Sequence, residues 1–574
     1  MTSKTTERTP LLHDAPAAAA PSTTIPPLLP VAPLSKTRHH DSGRSEEEGV
    51  TARLASTDSV SSGHGQTASV AVGNIVLILL IGVIISNADS SFLMATHTVI
   101  ASEFDALHDS TWLLTSFVLA GAVTQPLYGK LSDIYGRKQL LVVAYFLFAA
   151  GCALVGMGNS MSQVILGRVI SGLGSSGMTA LVSILITDLV PLRSVAAWRS
   201  YINIFATTAR SIGGPLGGWL ADTVGWRWSF IGQTPIASVA IILIIFMIPS
   251  HTQAPEESEG TEEPKGSRLA RVDLLGATFM TLAILGFLLP LQIAGDRVPW
   301  SHPLILGFLG AACIFLGLFL VTEHRFAKEP IIPLSLLVQK DMVLSLIIMV
   351  AQATAQVGLM IIIPLYFQIT TEASNSEAGA HLVPGVIGNA VGGLLAGSLI
   401  HRTGRYKLLT LFALFFACIG YVLFILRWHG HINWFESLYN FPGGFGMGVV
   451  NSTLFVGIQA AIDPEHSAVA ASTLYFAGLV GCMTGMAGTS AVLQGFLRIA
   501  LERRLEGAGY GGVEKAKIIE RAVSDLQYVH HAEKTVAHIV TSSYIYAFNF
   551  THVFALVCSL IAFASTVFLK EYKL

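Results

Sequence analysis

Asp89, Arg168 and Arg210 are charged side chains that lie inside long apolar runs of this sequence. Charges in such places are costly and mark functional groups by default. Asp89 lies past the middle of the first run, in Ala88-Asp89-Ser90-Ser91. A carboxylate held away from water takes up a proton more readily, which is what a proton-coupled carrier needs. The competing reading is a carboxylate capped by Ser90 and Ser91, or exposed at the end of the run. Arg168 sits in Leu166-Gly167-Arg168-Val169-Ile170-Ser171-Gly172-Leu173-Gly174, where the glycines permit close helix packing. Its competing reading is a structural guanidinium satisfying backbone carbonyls. Arg210 opens the segment Arg210-Ser211-Ile212-Gly213-Gly214-Pro215-Leu216-Gly217-Gly218. Pro215 and its flanking glycines should bend and soften that helix. A fixed cation there could pair with a substrate carboxylate or with Asp89. Gln125, Gln352, Gln356 and Asn389 are further polar residues within apolar runs and are candidates for lining a cavity.

Other chemistries find no support. No Gly-rich nucleotide loop ending in Lys-Ser or Lys-Thr occurs, and no constellation suggests an enzyme, a metal site or a cofactor. The five cysteines, Cys152, Cys313, Cys418, Cys482 and Cys558, are scattered singly in apolar runs and read as small buried hydrophobes. A net charge of -2 gives no basic footprint for nucleic acid.

The elements that must position these residues are membrane helices. Of 574 residues, 52% are apolar and 12% charged, where soluble domains carry about 25% charged residues. Mean hydropathy is +0.61. Runs long enough to span a bilayer start near Val70, Trp112, Leu140, Val164, Tyr201, Trp228, Val272, Pro303, Met342, Ala380, Leu408, Phe441, Ala471 and Tyr544, which makes fourteen. Charge tests the count. Short loops after even-numbered spans hold fourteen Lys and Arg, among them Lys130, Arg193, Arg199 and Arg271, against Arg227, Arg297 and Arg427 after odd-numbered ones. This positive-inside bias puts both termini and the even loops in the cytosol.

Residues 1–69 are rich in Ala, Pro, Ser, Thr and charge and read as a disordered cytosolic tail without a cleaved signal peptide. The expected divisions are six spans over 70–248, a cytosolic linker over 249–271, two spans over 272–322 and a cytosolic loop over 323–341. Five spans over 342–495, a long luminal loop over 496–543, and the last helix with a short tail over 544–574 complete the chain. Within the long loop, Val513, Ile518, Val523 and Leu526 have the spacing of a short amphipathic helix.

The loop after span two reads Gly129-Lys130-Leu131-Ser132-Asp133-Ile134-Tyr135-Gly136-Arg137-Lys138. It resembles the major facilitator loop motif G-x-L-a-D-r-x-G-r-k. A degenerate copy without the Asp, Gly397-Ser398-Leu399-Ile400-His401-Arg402-Thr403-Gly404-Arg405, follows span ten, as internally repeated halves imply. Fourteen spans, Asp273-Leu274-Leu275-Gly276 and Trp226-Arg227-Trp228-Ser229-Phe230 resemble the drug:proton antiporter-2 branch. The resemblance implies an all-α major facilitator fold, with two six-helix bundles plus two extra helices. It further implies a cytosolic latch at Gly129, Asp133, Gly136, Arg137 and Lys138, and a link of Arg168 to proton transfer. Residues 209–218 look like the antiporter motif g-x-x-x-G-P-x-x-G-G, but Arg210 stands where the first Gly is expected, so the match is partial.

Ala88-Asp89-Ser90-Ser91, the Gly-rich span five and the long last loop look most like fungal vacuolar basic amino acid transporters. Glu7-Arg8-Thr9-Pro10-Leu11-Leu12 fits an acidic dileucine signal that a sorting adaptor would read. The expectation is a proton-coupled, non-enzymatic carrier, held in membrane lipid, that moves small basic amino acids (Lys, Arg, His) from cytosol to vacuole lumen. Competing readings are a plasma-membrane multidrug or toxin antiporter and a non-transporting nutrient receptor.

Overall fold

The structure is a computed structural model. It describes residues 46–106, 109–248, 271–294, 298, 300, 302–327, 329–430, 432–524 and 532–572. Glu7, Leu11 and Leu12, most of the expected tail and most of the 249–271 linker lie outside them. The chain divides into two units, Met1–Thr67 and Ala68–Leu574. In the first, residues 46–67 are helical, where composition suggested no ordered structure. Once an apolar helix is nucleated, each added residue gains a hydrogen bond at little further cost, which favours extension.

Among the described residues the chain forms fourteen long helices, the first of which begins before the second unit does. They are α1 (Glu46–Glu103, with its apolar span Gly73–Glu103), α2 (Ser110–Tyr135), α3 (Arg137–Gly156), α4 (Met161–Leu189), α5 (Leu192–Thr223) and α6 (Arg227–Met247). An inserted pair follows, α7 (Leu274–Ile293) and α8 (Pro303–Arg325). The second half holds α9 (Lys340–Thr371), α10 (Val383–Thr403), α11 (Lys407–Arg427), α12 (Asn440–Ala461), α13 (Ser467–Gly507) and α14 (Lys534–Phe568). Twelve of these are long and apolar enough to cross a membrane; α2 and α5 are as long but more polar. Gln125 of α2 and Arg199, Asn203, Thr207 and Arg210 of α5 line a cavity described below.

Helix ends follow local chemistry. Ser160 caps α4 by accepting from the Gln163 amide, and Asp273 caps α7 by accepting from the Gly276 amide at 2.8 Å. Gly136, at φ +88°, turns the chain between α2 and α3. Two boundaries differ from the sequence expectation. α5 begins at Leu192, not near Tyr201, so Arg193 and Arg199 are helical residues and not loop charges. α13 continues to Gly507 and α14 starts at Lys534, which shortens the expected long loop. Beyond the apolar run, Leu497, Leu501 and Leu505 keep a helical stripe that packs with Val536, Val540 and Tyr544. The expected amphipathic helix spans Gly512–Ser524 and buries Ile518 and Ala522 in this cluster, while Val513 is exposed. Leu526 lies outside the described residues.

The halves are joined at the face that carries the basic loops, called the basic face below. α2 packs on α13, and α5 on α10. Both contacts depend on a glycine of the duplicated loop sequence. A Cβ at Gly129 would lie 2.8 Å from the Ala468 carbonyl oxygen and 3.0 Å from Val469 Cα. One at Gly397 would lie 2.8 Å from the Ala196 carbonyl oxygen and 3.0 Å from Ala197 Cα. Both obstacles are backbone, which cannot give way as a side-chain tip would. The inserted helix α7 rests against α2 and α13, and α8 turns much of its apolar surface outward, including Leu306 and Ile314. Gly129→Leu or Gly397→Leu should therefore wedge the halves apart. A cysteine placed at Ala468, now buried, should label faster with a membrane-impermeant maleimide from the basic face in the Gly129→Leu background. Unchanged labelling would contradict this packing account.

Candidate functional site

A cavity of about 460 Å³ lies between the two halves, lined by residues of α1, α2, α4 and α5 from one half and α9, α10, α12 and α13 from the other. Its polar lining includes Ser86, Asn87, Ser90, Gln125, Asn203, Thr207, Gln356, Asn389, Asn451 and Tyr475. Two cations line it, Arg199 and Arg210, and no Asp or Glu does among the described residues. Such a cavity is apolar enough to desolvate a ligand and polar enough to orient one.

Arg210 is exposed in this cavity, and its Nε donates to the Asn87 side-chain oxygen at 3.0 Å. The expected pairing of Arg210 with Asp89 is corrected. Asp89 pairs with Arg168: Arg168 Nη1 donates to Asp89 Oδ2 at 2.7 Å, with the side chains 1% and 0% exposed. Gln233 Nε2 of α6 donates to the other carboxylate oxygen at 3.2 Å. The guanidinium lies 4.2 Å from the Phe117 ring centroid, and its Nε donates to the Leu113 carbonyl at 3.4 Å. The reason is angular. Asn87 and Ser90 line the cavity, whereas Asp89 faces into the first half, towards α4 and α6.

Span five positions this segment. A Cβ at Gly213 would come 2.8 Å from Ser91 Cβ and 2.9 Å from the Ala88 carbonyl oxygen, and one at Gly217 would come 2.9 Å from Phe92 Cα. These two glycines, one turn apart, let α5 lie against the residues on either side of Asp89. Gly214 and Gly218 meet nothing within 4 Å, and Pro215 lies inside the helix. On α4, Gly172 lets α2 approach, since a Cβ there would sit 2.4 Å from the Phe117 carbonyl oxygen.

Of the cavity-lining candidates, Gln125, Gln356 and Asn389 line it. Asn389 accepts from Asn203 Nδ2 at 2.7 Å, which bridges α10 and α5. Gln352 does not line it: it donates to the Tyr421 hydroxyl and accepts from Ser559 inside the second bundle. On the basic face, Arg137 Nη1 donates to Asp133 at 2.5 Å and its Nε to Asp188 at 3.1 Å, while Lys138 Nζ donates to the Ile245 carbonyl at 2.7 Å. These contacts bind α2, α3, α4 and α6 into one half. Lys130 adds a bond at 2.9 Å to Glu329, in the loop after the inserted pair. Burial alone would raise the Glu329 pKa, but hydrogen bonds from Lys130 and Arg271 hold it below the ordinary value. The Glu329 contacts therefore persist at neutral pH and are lost only as pH falls through that lowered value.

Sequence reasoning missed Arg199, Gln233, Asn87 and Glu329. Gln233 and Asn87 are uncharged and carry no periodic signal. Arg199 was legible as one more basic loop residue.

A helical membrane protein with two bundles around a central polar cavity and a charge pair buried beside it is built like a secondary transporter. The Major Facilitator Superfamily description matches residues 78–486, and the chain belongs to that family. It is 30% identical over 509 residues, 88% of this chain and 85% of the relative, to the vacuolar membrane amino acid uptake transporter fnx2 of Schizosaccharomyces pombe. It is 29% identical over 489 residues to the multidrug resistance protein fnx1 of the same organism, covering 85% of this chain and 90% of the relative. With the vacuolar basic amino acid transporter 2 of Saccharomyces cerevisiae it shares 26% over 457 residues, 79% of this chain and 96% of the relative. Among solved structures, the proton:xylose symporter XylE has the same fold, with a TM-score of 0.53 at 14% identity over 88% of this chain and 97% of that one.

Removing either member of a buried ion pair leaves an uncompensated charge, at a cost of about 3–5 kcal/mol. Asp89→Asn and Arg168→Gln should each lower the melting temperature of the detergent-solubilised protein. The double variant should recover most of that loss. Additive losses would show that the two residues are not energetically coupled.

Proposed function

We propose that this protein exchanges protons for amino acids, the basic ones among them, and moves them from cytosol into the vacuole lumen. One observation carries the reading: a single cavity between the halves offers a guanidinium, Arg210, whose only bond among the described residues is to Asn87, next to the buried Asp89–Arg168 pair. A carboxylate is the natural partner for such a fork. The α-ammonium and a basic side chain would meet amide and hydroxyl oxygens, such as those of Asn389, Gln356 and Ser90. The names of the fnx2 and Saccharomyces relatives support amino acids and the vacuole. The positive-inside bias supports a cytosolic basic face.

The coupling follows from the wiring. Asn87 and Asp89 sit two residues apart on α1, one holding Arg210 and the other holding Arg168. In the state open to the acidic lumen, a proton on Asp89 weakens its hold on Arg168 and frees α1 to shift against α4. Asn87 moves with α1, and the Arg210 fork loses its alignment on the substrate carboxylate. Release follows. In the state open to the cytosol the proton leaves, the pair reforms, and the site is restored. Arg210→Ala should weaken amino acid transport and spare any substrate without a carboxylate.

Vacuolar vesicles loaded with a proton gradient should take up labelled Lys, Arg and His, and a protonophore should abolish the uptake. Export of cationic drugs without amino acid uptake would favour the multidrug reading, which the fnx1 likeness also suggests. Binding without any net uptake would favour a receptor. Under the sorting reading, changing both Leu11 and Leu12 to Ala should move a tagged protein away from the vacuole; unchanged location would remove that argument.

A further inference from the structure

Arg199 belongs to the first half by sequence, yet its contacts lie in the second. Its Nη1 donates to the Tyr475 hydroxyl at 2.8 Å and its Nη2 to the Asn451 carbonyl at 3.4 Å. Its guanidinium carbon lies 3.7 Å from the Phe455 ring centroid and 5.3 Å from that of Tyr475. Its Nε is buried without a hydrogen-bond partner among the described residues. Arg199 lines the main cavity and also a second void of about 40 Å³ that Met349, Phe455 and Leu474 help to enclose. It is thus part of the cavity floor on the side of the basic face, where the halves meet.

Opening that face requires the halves to part, and parting strips Arg199 of every one of these contacts. A guanidinium stays charged under all relevant conditions. A cation left deep in the protein without partners is expensive. The groups it loses are neutral: one carbonyl, one hydroxyl and two rings. An anion entering from the cytosol would bind the vacated fork more strongly than any of them, through paired charge-assisted hydrogen bonds. No acidic side chain of the protein lines the cavity among the described residues, so the substrate must bring that anion.

Arg199 and Arg210 are eleven residues apart on α5, a rise of about 16 Å with an angular offset of only about 20°. Asn203 and Thr207 occupy the same face between them, and both line the cavity. We propose that Arg199 receives the substrate carboxylate at the cytosolic opening and that the carboxylate then passes along this face of α5 to Arg210, while Arg199 returns to Tyr475, Asn451 and Phe455 to close the floor. The inference rests on the amino acid reading and names how that substrate class is selected: the carboxylate is read twice, first at the gate and then at the site.

The test compares lysine with lysinamide, which keeps both amines and lacks the carboxylate. Initial uptake rates at low concentration are measured in vacuolar vesicles for wild type, Arg199→Gln, Arg199→Lys and Tyr475→Phe. Wild type should prefer lysine. Arg199→Gln should cut that preference by at least about tenfold, the loss expected for one charge-assisted contact. Arg199→Lys should keep part of it and reports the same ratio should the Gln variant fail to reach the membrane. Tyr475→Phe removes the floor's bonds from its hydroxyl to Arg199 and Ser183 but keeps the guanidinium, so it should change the rate for both compounds in proportion and leave the ratio intact. An unchanged ratio in Arg199→Gln, or in Arg199→Lys should only that variant reach the membrane, would overturn the proposal and leave the amino acid reading standing, because Arg199 would then be a latch only. A collapsed ratio in Tyr475→Phe would overturn it too. Wild-type vesicles that take up neither compound would remove the amino acid reading and this inference with it.

Discussion

A carboxylate and a guanidinium meet at 2.7 Å, shut off from solvent in the middle of a helical membrane protein. Neither charge could stay there alone. The Asp89–Arg168 pair therefore dictates much of what surrounds it. Gln233 supplies the second carboxylate oxygen with a donor, and the Phe117 ring covers the guanidinium. Gly213 and Gly217 admit α1 close to α5 on either side of Asp89. A buried pair of this kind adds little net stability against an apolar replacement, since desolvation offsets most of the attraction. Under the proposed coupling its value lies in having two states: a proton on the carboxylate would change how tightly α1 holds α4, and α1 also carries Asn87, which bonds Arg210.

The second constraint is that the halves must separate and rejoin. The contacts between the halves include backbone approaches at Gly129 and Gly397, small polar bridges such as Asn203 to Asn389, and the cation of Arg199 on Phe455, set among buried apolar side chains of both halves such as Val195, Ala396, Ile400 and Val469. The duplicated loop sequence places the two glycine contacts at corresponding positions in α2 and α10, so the joint is made twice by the same means. The inserted pair adds an outside tie, with α7 against α2 and α13 and Glu329 bonded to Lys130.

Much of this was legible in the sequence. The fourteen runs read from the sequence each correspond to a long helix, twelve of them apolar enough to cross a membrane, although the ends of α5, α13 and α14 lie elsewhere than expected. What the sequence could not give was rotation. It marked Asp89, Arg168 and Arg210 as unusual, but the choice of Arg168 over Arg210 as the partner of Asp89 depends on which face of α1 each residue occupies. Gln352 and Gln356 are one turn apart on α9, yet only Gln356 reaches the cavity. Arg199 was hidden for a different reason. A helix that lines water keeps its charges within its length, so its hydropathy fades before its hydrogen bonds do, and its first turns read as loop.

The central claim is that substrate binding in the cavity and protonation of Asp89 are one linked equilibrium. Proton release on substrate addition tests it directly. Lysine added to purified protein in weakly buffered detergent solution at mildly acidic pH should release protons, detected with a pH-sensitive dye. The Asp89→Asn protein should still bind lysine and release none. Equal release from both proteins, or lysine binding to wild type with no release at mildly acidic pH, would contradict the account.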